Sequence, residues 1–322
     1  MIEKAPIRFV PYLKSVIWGG NKICSYKGIG QPEPNIGESW EISAVPGHES
    51  VVAEGPYKGM TVTELIDRFG VSLLGERIME RYGGKFPLLV KLIDANDNLS
   101  VQVHPDDRLA KSRHDSLGKT EMWYIIDTEK DARIYSGFKA EITPDVYEKC
   151  IAQGSFEELL AVHRSAPGDV FFLPAGRVHA IGAGNLLAEI QESSDITYRI
   201  YDYNRKDADG NTRELHTELA KDAIDYKVHA DYKSPRIPDD EIDAEIVGCD
   251  HFTVRRINVD GKVHLDFSPD SFTVIMCIHG DVILECPYGN TPISKGQTVL
   301  CPAILSELSI TGKATLLTSQ AT

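Results

Sequence analysis

Between residues 61 and 81 apolar side chains fall at Val62, Leu65, Ile66 and Phe69, the i, i+3, i+4, i+7 spacing that predicts an amphipathic helix over this stretch. Further helices are expected near 144–163 and 217–226. Elsewhere the apolar runs are short: PLLVKLID (87–94), LSVQVH (99–104), EMWYIID (121–127), DVFFLP (169–174) and ITYRIYDY (196–203). Gly, Pro, Asn and Asp turns divide them, so they read as strands. A β-rich barrel or sandwich decorated with a few helices fits this succession.

The stretch YKSPRIPDDEID (232–243) combines two prolines with a run of acids, which disfavours both a helix interior and a central strand. It predicts a domain connection, with a first domain over 1–240 and a second over 241–322. In the second, FTVRRINV (252–259), SFTVIMCIHGDVIL (271–284), TVLCPA (298–303) and ATLLTS (314–319) read as a small all-β unit. The two parts share a frame of glycine turn, apolar strand and proline turn: Gly168, Pro174, Gly176 and His179 in the first, Gly296, Pro302, Ile304 and Glu307 in the second. That frame resembles the second sequence motif of the cupin barrels. The expected fold is therefore mainly β, two cupin-like jelly-roll barrels with a few added helices. The second barrel, which has lost the glycine and the histidine, is expected to hold no metal.

A chain of 322 residues is long enough for two domains that each bury a core. Acidic residues outnumber Lys and Arg by 48 to 34, a net charge of −14 that repels nucleic acid and anionic membranes. Neither is an expected partner. An anionic substrate would need a local basic cluster, and Arg199 with Arg205 and Lys206 is the candidate. The six cysteines are scattered without CxxC pairs, which suggests neither a disulfide framework nor a thiolate metal site. The first residues, MIEKAPIRFVPYLK, lack the apolar core of a signal peptide, and a cytoplasmic location is expected.

Candidate chemistry lies in three segments. In LSVQVHPDD, strand alternation turns Leu99, Val101 and Val103 to one face and Ser100, Gln102 and His104 to the other. His104 offers an imidazole nitrogen and Gln102 an amide oxygen, both suited to a borderline divalent metal. A wet edge strand would alternate in the same way. GKTEMWYII starts an apolar strand at Glu121, with Lys119 on the same side by parity, and PAGRVHAIGAG sets His179 just past a proline and glycine turn. Four nitrogen and oxygen donors without thiolates make an open catalytic site, suited to zinc but also to iron, manganese, cobalt or nickel.

At these residues the chain resembles the type I phosphomannose isomerases. PLLVKLIDANDNLSVQVHPDD, GKTEMWYI and PAGRVHAIG look like signature segments of that family, WGG (18–20) and GESWEIS (37–43) resemble its amino-terminal part, and YRIYDYNR (198–205) matches its arginine segment. The resemblance runs in order from about residue 8 to 230 and is loose over the last eighty residues. It implies one Zn2+ per chain on Gln102, His104, Glu121 and His179, with Arg199 and Lys119 in the active site and Ser100 at the phosphate end of the substrate. Arg205, in the same arginine segment, is a further candidate for substrate binding. Glu189 corresponds to a family glutamate, with the spacing displaced by one. Fewer than fifty residues separate Glu121 from the PGDVFFLP strand, too few for the inserted helical domain of longer members, of which the 144–163 helix would be a remnant.

The implied reaction interconverts mannose 6-phosphate and fructose 6-phosphate by proton transfer through an enediol, with a small sugar phosphate as the partner. Lys119, Glu189 and a water on the metal all stand open as the carbon base. Two competing readings are a cupin oxygenase or isomerase of other specificity, against which the glutamine ligand and the Lys119 and Arg199 pair argue, and a sugar-phosphate-binding regulator. Nothing in the sequence bears on oligomeric state.

Overall fold

The computed structural model describes residues 2–206 and 209–322, arranged in three antiparallel sheets. A six-stranded sheet runs in the order Val170–Leu173, Glu121–Thr128, Asn185–Glu192, Leu88–Ala95, Ile36–Ile42, Tyr12–Gly20. A five-stranded sheet runs Tyr198–Tyr201, Val101–Val103, His179–Ile181, Arg133–Phe138, Leu160–Arg164. Trp18, Ile93, Trp123, Phe171 and Leu187 from the first meet Ile134 and Ile181 from the second in one buried cluster, so the two sheets close face to face as a jelly roll. The expectation of a mainly β, cupin-like fold holds.

The strands of the six-stranded sheet are apolar on both faces because both are covered. Leu88, Val90, Leu92, Met122 and Ile190 turn away from the jelly roll and pack with Val254, Val274, Met276 and Leu317 of the third sheet. That third sheet is built on three long strands, Phe252–Asp266, Thr273–Cys286 and Glu307–Ala321, and starts at Asp243–Gly248. It also takes in Ile7–Val10, paired with Thr298–Cys301, so the amino-terminal strand is stitched into the carboxy-terminal sheet. The proline-rich stretch between 224 and 242 carries neither helix nor strand.

The helical expectations need correction. The stretch 61–81 is three short helices, Val62–Phe69, Val71–Leu74 and Glu76–Tyr82, rather than one. Its start is read from the residues: Thr61 and Glu64 form a reciprocal capping box. Its breaks come from Gly70 and Gly75, at φ +47° and +93°. A Cβ on Gly75 would meet the Asp270 carbonyl carbon at 2.3 Å, so glycine is required where the third sheet approaches. The expected 144–163 helix ends at Gln153 with Gly154 in the left-handed cap; Phe156–Leu159 is a 3-10 turn and Leu160–Arg164 a strand. The expected third helix forms over Thr217–Ala223, and Lys22–Lys27 and Asp107–His114 are helices beyond the sequence reading. Among the described residues no helix is long and apolar enough to cross a membrane.

Candidate metal centre

The ladder of the five-stranded sheet pairs His179 directly with Gln102, and His104 follows one residue past the end of the Val101–Val103 strand. Glu121 opens its strand in the opposite sheet, between Leu173 and Gln191. The closed jelly roll brings these ends together. His179 Nε2 lies 3.2 Å from Glu121 Oε1, His104 Nε2 lies 3.5 Å from Glu121 Oε2, and the Gln102 amide lies 3.3 Å from His179 Nε2. The two histidines and Glu121 are buried, Glu121 completely. The proline-glycine turn is pinned to the same strand, for the Gly176 N–H donates to the His104 carbonyl at 2.9 Å.

The donor set fits a divalent cation. His104 Nδ1 sits 2.9 Å from the Ile196 carbonyl and His179 Nδ1 2.9 Å from the Arg177 carbonyl. Each Nδ1–H is thereby committed to the backbone, which turns both Nε2 lone pairs toward the same point. Glu121 Oε1 is buried there with no hydrogen-bond partner, a state that an additional ligand would explain. Burial, then the Lys119 charge, lowers His179 to about 3 and holds His104 well below the ordinary imidazole range. Both are thus neutral, as a metal ligand must be. Burial pushes the Glu121 carboxyl up to about 7 against the opposing pull of Lys119, and a cation at the site would reverse that push. Lys119 Nζ itself stands 2.6 Å from Glu121 Oε2 and 2.9 Å from His104 Nε2, so the lysine paired with Glu121 by strand parity borders the centre.

Beside these groups opens a cavity of about 410 Å³, within the range of small-molecule sites. Gln102, Lys119, Ser100, Glu189 and Arg199 all line it, so most of the sequence candidates converge. Arg205 does not. Its guanidinium is turned to Asp202 and to the Asn98 carbonyl and stacks over Tyr203, because the buried Asp202 carboxylate captures it. Arg213 stands on the cavity wall instead, with Nε 2.7 Å from the same Asp202. Arg199 donates from Nη1 to the Glu214 carbonyl at 2.8 Å, while its Nε has no partner.

The floor holds charges that motif reading passed over. Lys91 Nζ lies 3.0 Å from Glu189 Oε1 and 3.7 Å from Glu38 Oε2, and Lys14 reaches Glu38 at 3.5 Å. Trp123 Nε1 donates to Glu189 Oε2 at 2.8 Å and Trp40 Nε1 to Glu38 Oε2 at 2.7 Å. Burial would raise Glu189, but Lys91 and Lys119 with these hydrogen bonds outweigh it and bring the carboxyl down to about 2. A signal existed: Lys91 and Glu189 are lone charges in the otherwise apolar runs LLVKLI and LLAEI, and Glu38 and Trp40 share a face by alternation.

In the second repeat Glu307 lies 3.8 Å from His264, which also meets Asp266, and all three are exposed. No second histidine joins that group among the described residues.

Residues 7–134 match the family described as phosphomannose isomerase type I, catalytic domain, and residues 243–321 match the mannose-6-phosphate isomerase cupin domain. The chain is 38% identical over 325 residues to a mannose-6-phosphate isomerase of Bacillus subtilis, with 98% of each chain covered. It is 33% identical to the mannose-6-phosphate isomerase of Streptococcus mutans, again over 98% of each. The crystal structure of the mannose 6-phosphate isomerase from Bacillus subtilis superposes with a TM-score of 0.84 at 33% identity, covering 98% of this chain and 99% of that one.

Proposed function

The chain belongs to the type I phosphomannose isomerase family, and from that premise we propose that Gln102, His104, Glu121 and His179 hold one zinc ion beside the cavity in which the sugar phosphate reacts. The chain is an aldose-ketose isomerase that interconverts mannose 6-phosphate and fructose 6-phosphate. The observation that carries the site assignment is the convergence of two buried neutral imidazoles and one buried carboxylate with an unpartnered oxygen, directly behind Gln102 and Lys119 of the cavity lining.

A divalent cation supplies Lewis-acid polarisation of the substrate's carbonyl or hydroxyl oxygen. The remaining work falls to the chain's own groups. Interconversion moves a proton between C2 and C1 of the sugar, and a group that both takes and returns it must face those carbons. We assign this role to Lys119, whose Nζ contacts His104 and Glu121 and which lines the cavity. Glu189 suits it less. A carboxylate brought down to about 2 by Lys91 and Trp123 is a weak base, and its two oxygens are already engaged, so it holds Lys91 and the cavity floor in place. Arg199, Arg213 and Ser100 offer donors to the dianionic phosphate, with guanidinium geometry matched to paired phosphate oxygens.

The test is a coupled assay of fructose 6-phosphate formation from mannose 6-phosphate, run beside elemental analysis of the same preparation, with and without a chelator. Turnover that falls with zinc content supports the reading. A folded, zinc-loaded chain that binds the sugar phosphate without converting it would instead be a sugar-phosphate-binding regulator.

A further inference from the structure

The segment Gly118–Lys119–Thr120 carries no helix or strand, yet it sets the side chains of Lys119 and of Glu121 next to it. Each of its three backbone N–H groups is held. Gly118 donates to Asp107 Oδ1 at 2.8 Å, Lys119 to the Pro105 carbonyl at 3.1 Å, and Thr120 to Glu192 Oε2 at 2.7 Å. The fit is close enough that a Cβ on Gly118 would meet the Asp107 nitrogen at 2.6 Å. Two of the three anchors are therefore carboxylates, and each has a second oxygen facing away from the segment.

Between those second oxygens stands a side chain from the other domain. His251 Nδ1 lies 3.0 Å from Glu192 Oε1 and 4.0 Å from Asp107 Oδ2. Glu192 is only 2% exposed. Its contact with His251 is an ion pair rather than a well-aligned hydrogen bond, and without it Oε1 would be buried beside nothing that offsets its charge. The histidine is itself fixed: the Arg81 guanidinium donates to the Asp250 carbonyl at 2.6 Å, and Thr322 N–H donates to the His251 carbonyl at 3.2 Å. Glu192 holds the imidazole above its ordinary pKa, which favours the charged form.

We propose that His251 is a positioning residue: through Glu192 and Asp107 the carboxy-terminal domain clamps the Gly118–Thr120 segment and so holds Lys119 and Glu121 in their working geometry. This rests on the reading of Lys119 and Glu121 as active-site groups. It assigns a role to a domain whose own repeat has lost its histidine. Displacement of a reacting group by about 1 Å is enough to cost on the order of a hundredfold in rate, so a small loosening of this segment is expressed in kcat.

The experiment compares the full-length zinc-loaded parent with His251→Ala and His251→Asn, the latter placing an amide N–H near the position of Nδ1. For His251→Ala, kcat for mannose 6-phosphate is expected to fall about tenfold with KM within about twofold. Amide exchange of residues 118–121 should speed up while that of strand Phe252–Asp266 stays at the parental rate. His251→Asn, which keeps a polar group but no charge facing Glu192, should stay impaired like Ala in both. Parental kcat and exchange in His251→Ala would overturn the proposal, as would exchange faster throughout the third sheet, or an Asn variant restored to the parent. If His251→Ala does not fold, Glu192→Gln, which keeps an acceptor oxygen for Thr120 and removes the charge facing His251, is measured by the same criteria. A parent that turns over no sugar phosphate would sink the functional reading while leaving the exchange measurement to decide on the clamp.

Discussion

Glu189 stands directly opposite Lys91 in the ladder between Asn185–Glu192 and Leu88–Ala95, and their side chains meet at 3.0 Å across the cavity floor. Both are almost wholly buried, and the pair continues into Glu38, so one ammonium sits between two carboxylates. Burial opposes the Lys91 charge, but the two carboxylates overcome it and raise its pKa. Each charge is thus tolerable only because of the others.

Replacing Lys91 by Met removes the ammonium between buried Glu38 and Glu189, leaving Glu189 without its ion-pair partner and Glu38 with only the partly exposed Lys14, and should destabilise the fold by about 3–5 kcal/mol at pH 7, measured by urea unfolding. The effect has a pH signature. Glu189 is held down to about 2 and Glu38 below its usual range, so their stabilisation is present above the unfolded value of about 4.3 and is lost as pH falls through the folded value. In Lys91→Met the two acids take up protons more readily, and the gap to the parent should narrow between pH 5 and about 3. A gap that is constant over this range would show that the lysine contributes by packing alone.

The exchange of Arg205 for Arg213 on the cavity wall makes a paired prediction. Arg213→Lys should lower kcat/KM for mannose 6-phosphate about tenfold, since a single ammonium cannot match a guanidinium that bonds Asp202 through Nε and faces the cavity. Arg205→Lys should leave kcat/KM within about twofold of the parent and act on thermal stability, by loosening the bond to Asp202 and the contact with Tyr203. The reverse ranking would return Arg205 to the substrate.

Strand periodicity made the candidate ligand strand legible because Gln102 and His104 alternate with Val101 and Val103, which do pack into the core behind them. The short range of that signal is also its limit. Glu38 and Lys91 reach the cavity through pairing between strands distant in sequence, with Trp40 opposite Lys91, and Arg213 reaches it from outside the strands; a lone charge in an apolar run marks Lys91 as unusual but does not encode what it meets. Arg205 stands off the cavity lining for the same reason: it lies in the arginine segment, but its guanidinium is turned to Asp202, whose burial is a tertiary fact. The 61–81 stretch kept its apolar face while breaking at Gly70 and Gly75, and at Gly75 the approach of Asp270 overrides the helical period.

Metal content should be one ion per chain. His264, Asp266 and Glu307 are solvent-exposed, whereas His104, Glu121 and His179 are buried, with both imidazoles oriented by backbone carbonyls. His104→Ala removes one oriented donor and should abolish tight binding and nearly all turnover, with His264→Ala leaving both intact. Elemental analysis of the purified variants decides it: two tightly held ions in the parent, or near-normal activity of His104→Ala without added metal, would reject the assignment.

The sharpest expectation concerns Arg199. It shares the cavity wall with Thr197 and Ser100, is half-buried, and spends only one donor, Nη1, on the Glu214 carbonyl. Burial, and then the neighbouring Arg213 charge, weaken its hold on its own proton against the opposing pull of Asp202 and Glu214, which marks a place where positive charges gather. Against a net charge of −14, a dianionic sugar phosphate needs such a place to stay bound. A guanidinium offers fixed parallel donors that an ammonium cannot copy. Arg199→Lys should therefore keep fold and metal but lower kcat/KM for mannose 6-phosphate at least about tenfold, on the order of 1.4 kcal/mol of transition-state stabilisation. Circular dichroism and metal analysis on the same sample separate this from unfolding. Steady-state kinetics equal to the parent would mean that the phosphate does not rest on Arg199, and that the substrate lies toward the Lys14 and Lys91 end of the cavity instead.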